Sequence, residues 1–185
     1  AALIPVLIFV PSLNCTKWTD VALISIDFAT CDGGADRYGC MEDTITEAPC
    51  ESGDRSCFVR MQWDVNLCPA GANCKLTIMF SGGDAGCDIP VADPGYGSFG
   101  QYWARNSFVF ICAEPFLSDN ETAAQPFYEE NEKIKALINA VLTNPEGTSR
   151  AEVTQLYLQG MSHGGYNVLS NYATGGTEGS PSKIA

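Results

Sequence analysis

The 185-residue sequence predicts an α/β domain with a mainly parallel sheet and flanking helices. Three observations carry that expectation. Short apolar runs that suit buried strands occur at 75–80, 107–114 and 153–159, and each leads into a helix-like stretch. Glycine-rich turns, SGGDAG and GMSHGG, stand where the first and third of these runs end. Only one stretch has clear helical periodicity over four turns, and it lies between two of the strands, as a crossover would.

In chain order, the apolar start AALIPVLIFVPSL (residues 1–13) is too short to span a bilayer, which needs about 20 residues. It is expected to be a leader or the remnant of a signal-peptide core, with a buried first strand as the alternative. Residues 14–57 form a second segment, rich in Cys, Gly and Asp, expected to be irregular and packed on the domain that follows. Residues 58–185 carry the α/β pattern. CFVRMQWDV (57–65) alternates Phe58, Arg60 and Gln62 with Val59, Met61 and Trp63, which predicts a half-buried strand.

KLTIMF (75–80) has no polar alternation and predicts a strand covered on both faces. GSFGQYWARN (97–106) suits a short helix, and SFVFICAE (107–114) a second covered strand stopped by Pro115. Pro126 opens the long helix. Glu129, Glu130 and Glu132 favour its positive end, and Phe127, Ile134, Leu137, Ile138, Val141 and Leu142 form one stripe before Asn144-Pro145 ends it. VTQLYLQ (153–159) is the third strand and GGYNVLSNYA (164–173) the helix after it.

Composition excludes several functions. Net charge is −12 and basic residues are scattered, which argues against nucleic-acid or anionic-membrane partners. Nine cysteines, seven of them between Cys31 and Cys87, point to disulfides in an oxidising compartment. No C-x-x-C occurs, so zinc is not expected. The odd cysteine is expected to be Cys112, inside an apolar run. Asn14 and Asn120 head glycosylation sequons, in line with a secreted protein. Asp32, Asp36, Glu42 and Asp43 lack EF-hand spacing, so no metal is expected. No G-K-[ST] occurs, GMSHGG lacks the second glycine of G-x-G-x-x-G, and SGGDAGCDIP runs into Pro rather than a helix, so no nucleotide cofactor is expected either.

The stretch that carries chemistry is Gly160-Met161-Ser162-His163-Gly164, a G-x-S-x-G between a strand and a helix. A serine on so sharp a turn needs glycine two residues either side, and the turn lifts its hydroxyl to a helix N-terminus that favours an oxyanion. With strand KLTIMF, loop SGGDAG, strand FVFICAE, a long helix and strand LYLQ before it, residues 58–185 resemble the N-terminal half of an α/β-hydrolase. The layout is most similar to secreted esterases of the polyhydroxybutyrate-depolymerase and feruloyl-esterase kind.

The resemblance implies that Ser162 is the nucleophile. It implies oxyanion donors from the backbone of His163 and from Gly83 or Asp84, in a loop where Ser81 stands in place of the usual histidine. The substrate would be a carboxylic ester, with no cofactor. His163 is the one histidine of the sequence, and adjacent to the nucleophile it cannot serve as base. Downstream stand only Glu178 and, for a Ser-Lys dyad, Lys183. The expectation is therefore a chain truncated after the nucleophile helix, with the triad histidine and acid elsewhere, and a missing half or partner chain covering the sheet edge. The alternative is a catalytically inactive hydrolase-like domain with a structural or binding role outside the cell.

Overall fold

The computed structural model describes residues 24–31, 37–45, 50, 57–81, 87, 96–114, 127–161, 164–165 and 168. Six strands and three helices follow in the order β1 (Ala29–Thr30), β2 (Tyr38–Ile45), β3 (Cys57–Asp64), β4 (Cys74–Phe80), α1 (Tyr96–Arg105), β5 (Phe108–Glu114), α2 (Phe127–Thr143), α3 (Pro145–Arg150) and β6 (Ala151–Gly160). They build one sheet in the spatial order β1-β2-β3-β5-β4-β6.

The sheet is mixed, which corrects the expectation of a mainly parallel one. Only β5, β4 and β6 run parallel. β1, β2 and β3 pair antiparallel, and β3 joins β5 antiparallel with Met61 opposite Ile111. The expectation failed because β2 lies in the Cys-rich stretch expected to be irregular. Its mixed sequence, YGCMEDTI, gives neither alternation nor an apolar run. It forms a strand because its backbone is paired to β3 along all of its length, from Tyr38↔Asp64 to Ile45↔Cys57.

Alternate side chains of the central strands enter two layers. Val59, Met61, Ile78, Phe80, Val109 and Ile111 share a core with Ile134, Leu137, Ile138 and Val141 of α2. Each of those four helix side chains is 1% exposed or less, and burying one contributes about 1.5–3 kcal/mol before entropy is counted. The opposite face is covered by α1, whose Gly100 sits so close to Gln62 that a Cβ there would collide with the amide oxygen. β3 is therefore buried on both faces rather than on one: Arg60, Gln62 and Asp64 are 8%, 3% and 0% exposed.

Arg60 and Asp64 are partnered, while Gln62 Nε2 is buried with no hydrogen-bond partner among the described residues. Arg60 donates through Nε and Nη2 to Glu42 Oε2, at 3.1 and 2.7 Å. Asp64 ends β3 and accepts from Arg37 Nε at 2.7 Å and from the N–H groups of Asn66 and Leu67 at 3.0 and 3.3 Å. Burial by itself pushes the Asp64 carboxyl up. The Arg37 bond and charge, with the two turn N–H groups, outweigh burial and hold it below the usual carboxylate range.

Four disulfides staple the described residues: Cys31–Cys40, Cys50–Cys57, Cys68–Cys74 and Cys87–Cys112. Cys112 is thus bonded, contrary to expectation. A disulfide sulfur is as apolar as the run FVFICA around it, so that run could not tell a bonded cysteine from a free one. Cys15, residues 1–13 and the sequon residues Asn14 and Asn120 lie outside the described residues. Asn144 does more than end α2. It caps α3, accepting from Glu146 and Gly147 N–H at 2.9 and 3.2 Å, and its amide donates 2.8 Å to the Ile26 carbonyl. No helix among the described residues is long and apolar enough to cross a membrane.

Candidate functional site

The chain's connections define where a site can form. β4 leads into α1 on one face of the sheet, while β5 leads into α2 on the other. After β6 the chain turns to the α2 face too, since Val168 packs against that core. Neighbouring strands β4 and β6 therefore send their chains to opposite sides, so the position of a topological-switch crevice falls beyond their carboxyl ends. In open α/β sheets that crevice is where ligands bind.

At this crevice three strand ends line up, with Phe80 paired to Ala113 on one side and to Gly160 on the other. Met161 N–H reaches back to the Phe80 carbonyl at 3.3 Å. The turn that follows is closed by Gly164 N–H on the Met161 carbonyl at 2.9 Å, and positions 164, 165 and 168 are helical. The chain thus passes from strand to helix within three residues of Met161.

Both outer glycines are required by space. A Cβ on Gly164 would collide with the Phe80 carbonyl and stand 2.6 Å from the Ser81 oxygen. A Cβ on Gly160 would collide with the Gly164 carbonyl. All of these are backbone atoms of a paired strand or of the turn itself, so none can rotate away. Met161, just after the end of β6, is 42% exposed. Ser162 and His163, between these fixed points, lie outside the described residues.

The companion loop starts from Ser81, 5% exposed, whose N–H donates to the Ala113 carbonyl at 3.0 Å. Gly83 and Asp84 also lie outside the described residues. The chain is fixed again at Cys87, bonded to Cys112, with its N–H on Glu114 Oε2 at 3.1 Å. Sequence reasoning missed Glu114 as a neighbour of this loop. The contact bridges 27 positions, and no periodicity links its ends. Of the carboxylates weighed for a cation, Glu42 is paired with Arg60 and Asp43 accepts from the Asp27 N–H at 3.4 Å. Asp32 and Asp36 fall outside the described residues. Among the described residues no cluster of His, Cys, Asp and Glu could hold a metal ion.

No family model and no curated protein matches the chain. Solved structures do. Esterase Est22 with p-nitrophenol is 12% identical, matching 80% of this chain and 42% of its own at a TM-score of 0.55. Acetyl xylan esterase 1 from Thermoanaerobacterium sp. JW/SL YS485 is 11% identical over 85% of this chain and 50% of its own, TM-score 0.55. An S-formylglutathione hydrolase from Agrobacterium tumefaciens is 13% identical over 78% and 56%, TM-score 0.52. The chain thus spans about half the length of the structures it resembles. At such identities the likeness concerns the fold, and together with the strand order and the glycine-bounded turn after β6 it makes this an α/β-hydrolase-like fold.

Proposed function

We propose that this chain is part of a secreted serine esterase. The reading is supported most by one contact, that of Gly164 with the Phe80 and Ser81 carbonyls. The two segments that ester hydrolysis needs, one with the hydroxyl and one with N–H donors, start from touching residues. Ser162 Oγ attacks the ester carbonyl as a base removes its proton. The N–H groups of His163 and of Gly83 or Asp84 hold the oxyanion, each worth about 3 kcal/mol in the transition state. Collapse breaks the ester C–O bond, the protonated base gives its proton to the leaving alcohol, and water then hydrolyses the acyl-enzyme.

The base has to come from outside this sequence, whose one histidine is His163. A further segment or a partner chain is proposed to bring it, and to cover the outer edge of β6. Among the described residues that strand is paired only with β4. Four disulfides support an oxidising compartment, with glycans proposed on Asn14 and Asn120. The lone histidine also supports a second reading, a non-catalytic hydrolase-like domain in an extracellular assembly.

Fluorophosphonate labelling of the protein from its native source separates the two. The esterase reading expects the label on the peptide holding Ser162, and none on Ser162→Ala. A folded protein that takes no label sinks it.

A further inference from the structure

The chain has four methionines, and all four lie among the described residues. Met61 and Met79 are 0% and 3% exposed within the sheet, and Met41 is half-buried against the main core. Met161 is 42% exposed. A packed thioether is shielded from solutes, whereas one at the surface meets them freely, so oxidants reach this sulfur first.

Met161 is also the residue joined to Ser162 by a peptide bond. Its backbone is held on both sides, the N–H by the Phe80 carbonyl at 3.3 Å and the carbonyl by the Gly164 N–H at 2.9 Å. The exposed side chain therefore leaves a fixed main chain one residue before the nucleophile. Competition for oxidant from thiols is small, because eight of the nine cysteines are in the four disulfides. The ninth, Cys15, lies outside the described residues.

We propose that Met161 is an oxidation site through which peroxide turns down ester hydrolysis. The thioether sulfur attacks the peroxide O–O bond. An S–O bond forms, the O–O bond breaks, sulfur is oxidised by two electrons and the peroxide is reduced to water. An apolar side chain becomes polar and gains a hydrogen-bond acceptor. At an exposed position that oxygen is solvated, so the fold keeps its stability. What changes is the chemistry beside the nucleophile, where an acceptor now stands one residue from the group whose reaction needs donors for an oxyanion. The loss of rate rests on the esterase reading; the selectivity of oxidation does not.

The test treats the native-length protein with dilute hydrogen peroxide and maps methionine sulfoxide by peptide mass spectrometry, while a fluorophosphonate reports on Ser162. Met161 is expected to oxidise about tenfold faster than Met41, Met61 or Met79. Labelling should slow in step, by about fivefold at full conversion of Met161, short of the roughly 10²–10³ of deleting an oxyanion donor outright. Tm should stay within about 2 °C of the untreated protein. Methionine sulfoxide reductase should restore the labelling rate, and Met161→Leu should keep its own rate through the treatment. Oxidation of Met41 as fast as Met161, an unchanged rate once Met161 is the sulfoxide, or an equal loss in Met161→Leu overturns the proposal. An untreated protein that takes no label overturns the esterase reading and the control of rate with it, while the peptide map still decides whether Met161 is the oxidation site.

Discussion

Gly164→Ala is the sharpest probe of the turn after β6. The added methyl would collide with the Phe80 carbonyl and lie 2.6 Å from that of Ser81. Neither oxygen can yield cheaply. Phe80 is paired on both sides, to Ala113 and to Gly160, and the Ser81 N–H is bound to the Ala113 carbonyl. Overpacking costs about 1–3 kcal/mol where side chains can adjust, and a rigid backbone wall puts this site at the upper end, about 3 kcal/mol. With an unfolding entropy of about 2.1 cal/mol/K per residue, a chain of this size should lose about 8 °C in Tm. Gly165→Ala is the control, because its Cβ meets the nearest atom, the Gly160 oxygen, only at 3.2 Å. That substitution should cost less than about 1 kcal/mol. Thermal unfolding followed by circular dichroism measures both. If Gly164→Ala melts within 2 °C of wild type, or no lower than Gly165→Ala, the close approach of the turn to β4 is wrong, and the site argument loses its main geometric support.

Two further predictions concern stability. Since Asp64 has a folded-state pKa below its unfolded value, its contribution is fully present above about pH 4 and is lost as pH falls through the folded value. Asp64→Asn should therefore flatten the acid limb of urea midpoints below about pH 4, and Asp64→Ala, which takes the carboxylate acceptor from the Asn66 and Leu67 N–H groups, should cost about 2 kcal/mol at pH 7; an acid limb unchanged in Asp64→Asn would show that other groups carry it. Asn144→Ala removes a cap bonded to two N–H groups and strands the Ile26 carbonyl, so urea denaturation should show a loss of about 2 kcal/mol, and a loss below 0.5 would contradict the capping role.

The need for glycine at 160 and 164, both covered strands β4 and β5, and the long helix α2 were legible in the sequence. Each depends on neighbours in the chain: glycine spacing, an uninterrupted apolar run, or a stripe repeating every three to four residues. The Ile134, Leu137, Ile138 and Val141 stripe is buried as its spacing requires. α3 escaped notice because six residues, PEGTSR, are too few to show a period, and only the Asn144-Pro145 start marks it.

What tertiary structure alone decided is everything that depends on partners far apart in the chain. Strand β2 exists through its pairing with β3, and its polar residues are tolerated because Glu42 meets Arg60 across that pair. The buried face of β3 that carries Arg60, Gln62 and Asp64 looked solvent-facing until α1 covered it. Cys112 found Cys87 across 25 positions, and Glu114 found the Cys87 N–H across 27. A hydrophobic pattern records how much of a residue is to be buried, and local spacing records the turn it must make. Neither encodes which distant group will stand opposite, because that is fixed only when the strands take their order in the sheet.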